Sequence, residues 1–358
     1  MVASTETRGL KVFSQLIREV IKPENCTLCG ACISVCPVGA ITVKDGWPTL
    51  TGRCILCQLC YHQCPKTEPT LEELERKLFK NLESIENPLG FYKAIYTVES
   101  TDGNIKSKAA NGGVVTSLLK IALEDGLVDC ATVAVADRLK GWIPEAKVAF
   151  TFQELLEAAG SKYTYCPMIT ALASAFYEYM RNRVAFVGTS CQVLSVRKMQ
   201  LTDMGHRKLG EAAGLIIGLF CMENFNHNLI SEFLPRMGVK PEAVFKFDIS
   251  SGKFNVYGGG GESLISVSVK ELERYSRKGC MMCPDLTARL ADVSVGGIGS
   301  KPGFSTVIVR TDIGEKIFKR ALELNAIRAE EIDEQGLKNL IKVAKAKLDK
   351  AIKIKGKV

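Results

Sequence analysis

The chain has 358 residues, 46% hydrophobic and 24% charged, enough for a small module plus one larger domain with a sizeable core. Its net charge of +8 is uneven: eight lysines against Asp349 from Leu337 onward give +7 and leave the body near neutral, so no nucleic-acid partner is expected. The longest apolar run, Ala212 to Met222, is broken by glycine and falls far short of the roughly 20 residues that span a bilayer.

Lys11, Arg18 and Glu19 interrupt the start of the chain before any apolar stretch, so no secretory leader is expected and the cytoplasm is the expected location. Val12, Phe13, Leu16, Ile17 and Val20 recur at helical spacing, which predicts a packed N-terminal helix within residues 1–22. Fourteen cysteines in a reducing compartment point to metal or catalysis rather than disulfides.

Two cysteine runs follow within residues 23–68. Cys26, Cys29, Cys32 and Cys36-Pro37 form the first, and Cys54, Cys57, Cys60 and Cys64-Pro65 form the second. Both fit the C-x2-C-x2-C-x3-C-P spacing of bacterial-type two-cluster ferredoxins. Three thiolates two residues apart wrap one cubane, while the fourth, past a turn, is aimed at the other. The crossed pattern predicts Cys26, Cys29, Cys32 and Cys64 on one 4Fe–4S cluster and Cys54, Cys57, Cys60 and Cys36 on the second. Between the runs, Ala40 to Leu50 reads as a hairpin turning at Asp45-Gly46. His62, between two ligands, reads as a turn-surface residue. A linker follows over residues 69–90, with a charged helix predicted from Leu71 to Glu83.

From about Phe91 to Leu324, strand-like stretches (Val128–Ala136, Val184–Gly188, Leu215–Phe220, Phe304–Val309) alternate with helical ones (Thr116–Asp125, Pro167–Met180), predicting an α/β domain with a mixed sheet. Cys191 and Cys221 follow strands, and Cys280 and Cys283 form a CxxC. Four thiolates at strand ends suit a metal site, zinc or iron–sulfur alike. Three glycine-bearing turns precede helices or follow strands: Asn111-Gly112-Gly113-Val114 leading into Thr116 and Ser117, Gly188-Thr189-Ser190, and Ser294 with Gly296-Gly297. Each is a helix cap or an anion-binding turn. No G-x-G-x-x-G occurs, so the Rossmann dinucleotide signature is missing.

These segments, with Gly160-Ser-Lys162-Tyr163, Cys280-Met-Met-Cys283-Pro-Asp285, Ala291-Asp292-Val-Ser-Val-Gly296 and Val309-Arg310-Thr311, resemble the family of beta subunits of coenzyme F420 hydrogenases and dehydrogenases. The resemblance implies an FAD-binding domain that oxidises or reduces the deazaflavin coenzyme F420. It also implies a third 4Fe–4S cluster on Cys191, Cys221, Cys280 and Cys283, which resolves the choice in favour of iron. The glycine turns, with Asp292, become candidates for holding FAD, and Lys162 with Tyr163 for lining the flavin or coenzyme site. Arg277 and Lys278 are candidates for the rim of the coenzyme cleft. Cys130 and Cys166 are left as buried apolar residues.

With its ferredoxin module, the chain resembles the input subunit of F420H2 dehydrogenase across its whole length. That implies hydride transfer to FAD and single electrons passing through three clusters to other subunits of a membrane complex, with peripheral membrane association through them. The same module serving a soluble partner is the alternative, and a non-catalytic electron wire with structural zinc is a further one. The tail, residues 325–358, reads as a basic amphipathic helix whose apolar face holds Leu337, Leu340, Ile341, Ala344, Leu348, Ala351 and Ile352.

Overall fold

The computed structural model describes residues 9–80 and 87–356. Each cysteine run must bend back on itself between ligands, and each does so through left-handed backbone. Leu28 and Leu56 have φ of 53° and 59°, and Gly30 and Gln58 start the one-turn helices Ala31–Ser34 and Leu59–His62 with φ of 95° and 68°. Glycine is required at the first position, because a Cβ at Gly30 would meet the Pro167 carbonyl oxygen at 2.9 Å. Gln58 has room for a side chain, and its carboxamide oxygen accepts from the Lys11 amide at 2.9 Å.

The hairpin β1 (Ile41–Lys44) and β2 (Trp47–Leu50) turns at Asp45 and Gly46, both with positive φ as a two-residue primed turn needs. The N-terminal helix begins as α at Phe13–Leu16 and widens to a π-turn over Ile17–Ile21. Phe13, Leu16 and Val20 pack on Cys26, Cys32, Ile41 and Cys60 in one small core. The linker helix spans Leu71–Leu78, with a Thr70–Glu73 capping box. The helix stops short of the predicted Glu83: Phe79 and Lys80 leave helical geometry, and 81–83 lie outside the described residues.

The main sheet has eight strands: β3 (Ala94–Ser100), β4 (Cys130–Ala136), β5 (Pro144–Ala149), β6 (Val184–Thr189), β7 (Ala213–Leu219), β11 (Val293–Gly296), β12 (Ser305–Val309) and β13 (Ile327–Glu331). Their order is β13-β3-β12-β11-β7-β6-β4-β5. The central four, β4, β6, β7 and β11, pair in parallel, and antiparallel strands flank them. The sheet is therefore mixed, as predicted, and β13 carries it past the expected boundary at Leu324. Helices cover both faces, with Ile169–Tyr177 and Ser190–Leu201 on one and Val114–Glu124 and Asp312–Glu323 on the other. A separate antiparallel sheet of β8 (Lys246–Ser250), β9 (Lys253–Tyr257) and β10 (Ser263–Ser268) has its own core around Phe225, Phe254 and Leu272. The sequence reading has no counterpart for it.

The ferredoxin module is pressed against this body. A Cβ at Gly279 would meet the Asn25 carbonyl oxygen at 2.1 Å. Arg277, expected on an open rim, is instead buried in the seam, with its guanidinium 4.5 Å from the Trp47 ring centroid and 5.0 Å from that of Tyr165. The reason is chemical: guanidinium is weakly hydrated and stacks on aromatic faces, so it can fill an interior joint. Lys278 stays outside, 3.9 Å from Glu24.

The C-terminal helix runs from Glu334 to Lys355. Leu340 and Ala344 are buried with Leu89, Ile95, Leu286 and Ile308, so the apolar face packs on the protein's own core. The face is rotated from the predicted one: Ile352 is 60% exposed, while Lys347 is only 4% exposed. Among the described residues no helix is long and apolar enough to cross a membrane.

Leu340→Ala is expected to lower unfolding stability by about 2–5 kcal/mol, read by chemical denaturation, because it opens a cavity at a fully buried site. Gly279→Ala is expected to cost about 1–3 kcal/mol by the same assay, through overpacking of the seam.

Candidate functional site

The ferredoxin thiols fall into two groups: the shifts of Cys60, Cys32 and Cys64 are dominated by burial, and the thiols that add to each come mainly from one group. Burial, then Cys57, Cys54 and Cys36, push the Cys60 thiol up to about 12. Burial, then Cys29, Cys26 and Cys64, raise the Cys32 thiol well above its ordinary range. Cys64 is pushed up to about 11, mainly by burial, with Cys26 adding to the rise. Cys36 thus sits with the second run and Cys64 with the first.

A third group forms at the carboxyl edge of the parallel strands. Cys191 follows β6 in the first turn of the Ser190–Leu201 helix, and Cys221 lies two residues beyond β7. Cys280 lies in the short helix Lys278–Met281 beside them, and Cys283 follows. Burial, then Cys191 and Cys283, push Cys280 up to about 12. Burial also raises Cys221, with Cys280, Cys191 and Cys283 adding to it. Free thiols here resist ionisation, so a metal that takes them as thiolates must displace their protons. Among the described residues no group of three or more His, Cys, Asp or Glu side chains is spaced for a single ion, and this holds for the third group as for the two ferredoxin groups.

One helix joins the first and third groups. Cys191, Ser195 and Lys198 are four and three residues apart, one face covering about 10 Å of axis. Ser195 Oγ lies 3.8 Å from Cys29 Sγ and donates to the Gln63 carbonyl at 2.9 Å. Lys198 Nζ donates to the Cys64 carbonyl at 2.6 Å and to that of Thr67 at 2.7 Å. Burial holds the Lys198 ammonium down at about 8.

Several polar atoms in this seam are left over. Asn25 Oδ1, Thr27 Oγ1, Gln63 Oε1 and Arg277 Nη2 are buried without a hydrogen-bond partner of full geometry. The Thr27 hydroxyl lies beside Cys191 and opposes the rise that burial and Cys283 impose there. Arg277 does the same for Cys26, whose thiol burial raises, and its Nε donates to the Cys26 carbonyl at 3.1 Å. Orphaned donors beside cysteines suit an inserted group rich in sulfur acceptors, as a cubane is.

Beyond the third group, the carboxyl edge continues into the glycine turns. Phe220 donates its amide to Val295 at 2.9 Å, and a Cβ at Gly296 would strike the Phe220 ring. Gly297 lies against the Asn111 carboxamide, where a Cβ would come within 2.9 Å of Nδ2. The structure thus brings Asn111 to Gly113 together with Gly296 and Gly297. Helix Val114–Glu124 begins there with a left-handed Gly113 and no side-chain cap, so its first N–H groups lack a capping acceptor. Thr116 is buried near this end, Val114 packs in the core, and Ser117 donates to Ser100 Oγ at 2.8 Å. The start of the Ser190–Leu201 helix is closed instead: the Gln192 carboxamide accepts from the Thr189 amide at 2.8 Å, and Ser190 Oγ donates to the Asp285 carbonyl at 3.0 Å. Gly188 there is packed against Phe186.

Asp292 and Ser294 stand apart from the expected cofactor role. Asp292 precedes β11 at the opposite edge, where its carboxylate pairs with Arg197 at 2.7 Å and accepts from the Ile216 amide at 2.7 Å and Thr311 Oγ1 at 2.8 Å. Ser294 is fully buried and accepts from Arg310 Nε at 2.9 Å. Both are committed to holding strands together. Lys162 and Tyr163 line a small cavity with Trp142, Phe247 and Phe254. The Lys162 ammonium, which burial holds down at about 8, donates to the Ala158, Ala159 and Gly160 carbonyls at 2.5, 3.0 and 3.0 Å. Tyr163 accepts from the Ile249 amide at 3.1 Å, and burial, then Asp248, raise its phenol to about 12. Cys130 and Cys166 are buried in the apolar core. Sequence reasoning missed Lys198, Thr27 and Lys347, whose carbon chains and neighbours give no local signal of the thiols they face.

Lys347 Nζ reaches the third group from the C-terminal helix and donates to the Cys221 carbonyl and, at 2.8 Å, to that of Asp285. Burial pushes this ammonium down, but Cys283, Cys221 and Asp285 outweigh it and leave the pKa raised.

Residues 95–173 and 181–335 match the N-terminal and C-terminal models of the coenzyme F420 hydrogenase/dehydrogenase beta subunit, and residues 19–42 match the 4Fe–4S binding domain. The beta subunit of coenzyme F420 hydrogenase from Methanothermobacter thermautotrophicus is 40% identical over 268 residues, 74% of this chain and 94% of that one. A subunit of the F(420)H(2) dehydrogenase of Methanosarcina mazei is 33% identical over 317 residues, 84% of each chain. A chain of the xenon-derivatised F420-reducing NiFe hydrogenase complex from Methanosarcina barkeri superposes with a TM-score of 0.70 at 35% identity, covering 76% of this chain and 94% of its own. The chain belongs to the family of coenzyme F420 hydrogenase/dehydrogenase beta subunits and carries a ferredoxin-type region ahead of that family's domain.

Proposed function

We propose that the chain oxidises reduced coenzyme F420 through a bound FAD and passes the electrons singly through three 4Fe–4S clusters to a partner subunit. FAD supplies two-electron acceptance with one-electron release, which joins a hydride carrier to clusters that take one electron at a time. The observation that carries the reading is the Ser190–Leu201 helix, whose one face puts Cys191 of the third thiol group within two turns of the contacts to Cys29 and Cys64.

The residues divide the work. Cys191, Cys221, Cys280 and Cys283 would hold the cluster nearest the flavin. Cys26, Cys29, Cys32 and Cys64 would hold the next, and Cys54, Cys57, Cys60 and Cys36 the outermost. The uncapped N–H groups after Gly113, with Asn111 and Gly297 beside them, offer an anion site for the FAD pyrophosphate at the carboxyl edge. Tyr163 and the cavity behind Lys162 would form a wall of the coenzyme site. In this reading Lys162 is a positioning residue, since its ammonium fixes the loop that bears Tyr163. Cys54, Cys57 and Cys36 of the outermost group are partly exposed, with Ile55 and Leu56 more than half exposed between the first two, so electrons would leave there. The likeness to a dehydrogenase subunit over 84% of each chain supports a partner within a dehydrogenase complex, which in this reading would be membrane-bound.

Anaerobically purified protein is expected to hold about twelve irons and one flavin per chain and to reduce a dye with reduced coenzyme F420 but not with NADH or NADPH. Cys191→Ser is expected to leave about eight irons and to abolish that dye reduction while the ferredoxin signals persist. A wild type with only eight irons and no flavin bands would overturn the reading.

A further inference from the structure

The C-terminal helix is rich in lysine, yet its lysines do different things. Lys338 pairs with Glu334 at 2.5 Å and Lys350 with Glu273 at 3.6 Å, both at the surface. Lys347 alone of these points inward, on the same face as Ala344 and Ala351, which are 1% exposed. The packed face fixes where its ammonium goes, against the carbonyls of Cys221 and Asp285.

Its partners are unusual. Among the described residues Lys347 forms no ion pair, and the Asp285 carboxylate is occupied by the Thr287 and Arg289 amides at 3.0 Å each. A buried ammonium held only by carbonyls is costly unless an anion lies close by. The thiols of Cys283, Cys221 and Cys280 lie beside it and can become one, and the Asp285 carboxylate acts on it from the same side. A cubane on four thiolates is a net anion, and reduction adds a further negative charge in a medium that screens poorly. Lys66 also faces this group, with its ammonium 2.6 Å from the Gly279 carbonyl, but from the ferredoxin side and shared with the first thiol group.

We propose that Lys347 sets the reduction potential of the cluster on Cys191, Cys221, Cys280 and Cys283, raising it by holding a fixed positive charge against that anion. The inference rests on the three-cluster reading above. It gives the C-terminal helix a task beyond packing: it delivers one charge to the entry point of the electron path. One electron arrives from the reduced flavin, and no bond to Lys347 is made or broken.

The test is a potentiometric titration of the full-length holoprotein followed by electron paramagnetic resonance, with iron and flavin counted first. Lys347→Met and Lys347→Gln remove the charge, Lys347→Arg keeps it, and Lys350→Gln is the surface control. In both neutral variants the third cluster is expected to become harder to reduce by at least tenfold in its one-electron equilibrium, about 59 mV lower. The arginine and control variants should stay within threefold of wild type, and the two ferredoxin potentials should not move. A neutral variant with its full iron complement and an unshifted third potential overturns the proposal. So does loss of the third cluster's iron from both neutral variants while arginine retains it, which would make Lys347 an assembly residue. A wild type with only eight irons would instead remove the three-cluster reading itself, and the iron count separates that failure from the others.

Discussion

Negative charge on buried sulfur is the constraint from which the rest of this architecture follows. Burial raises the thiols of Cys26, Cys29, Cys32 and Cys64 in the first group and of Cys191, Cys221 and Cys280 in the third before any neighbour acts, so these would not ionise there without compensation. In the proposed loading iron would supply part of that compensation and the protein the rest. Arg277 acts on Cys26, Lys198 on Cys64, Lys66 on both the first and third groups, and Lys347 on the third. Four cations close to such sulfur are hard to reconcile with mere packing, since Arg277, Lys198 and Lys347 each pay desolvation on burial.

The second consequence is geometric. A parallel α/β sheet gathers its loops at the carboxyl ends of the strands, where ligands bind in this architecture. Here β6 and β7 deliver Cys191 and Cys221 to that edge, and β3 and β11 deliver the Asn111 and Gly297 turns beside them. The same helix that receives Cys191 carries Ser195 and Lys198 into the ferredoxin module. A rigid element therefore sets the spacing between a would-be flavin-side cluster and the next one, independent of loop motion.

Much of this was legible in the sequence because the signals are local. The cysteine runs dictate their own turns, Asp45-Gly46 announces its hairpin, and the buried strands β6, β7 and β12 read as apolar runs between glycines. The small sheet β8–β10 was not legible: Lys246 to Ser268 interleaves polar residues and glycine, and its core depends on Phe225 and Leu272 from outside the segment. Asp292 and Ser294 misled for a related reason. A polar residue beside a glycine turn looks like a ligand until Arg197 and Arg310, distant in sequence, arrive to occupy it. Lys347 was hidden in the opposite way, as one lysine among eight in a basic tail.

Each of these cations acts on thiols of a segment other than its own, and Lys66 acts on its own module's Cys26 and Cys64 as well. Lys66 stands in the ferredoxin module and acts on Cys191 and Cys280 of the body, whereas Arg277 and Lys198 stand in the body and act on Cys26 and Cys64 of the module. Lys347 comes from the far end of the chain. Charge compensation of this kind exists only when the module, the body and the terminal helix are docked. Docking in turn buries Arg277 and Lys198, whose charges are tolerable only beside anions. Loading of the thiol groups and assembly of the three segments are thus thermodynamically linked, each lowering the cost of the other. The same interlock that makes the chain hard to divide into independent domains keeps the three thiol groups at a fixed separation.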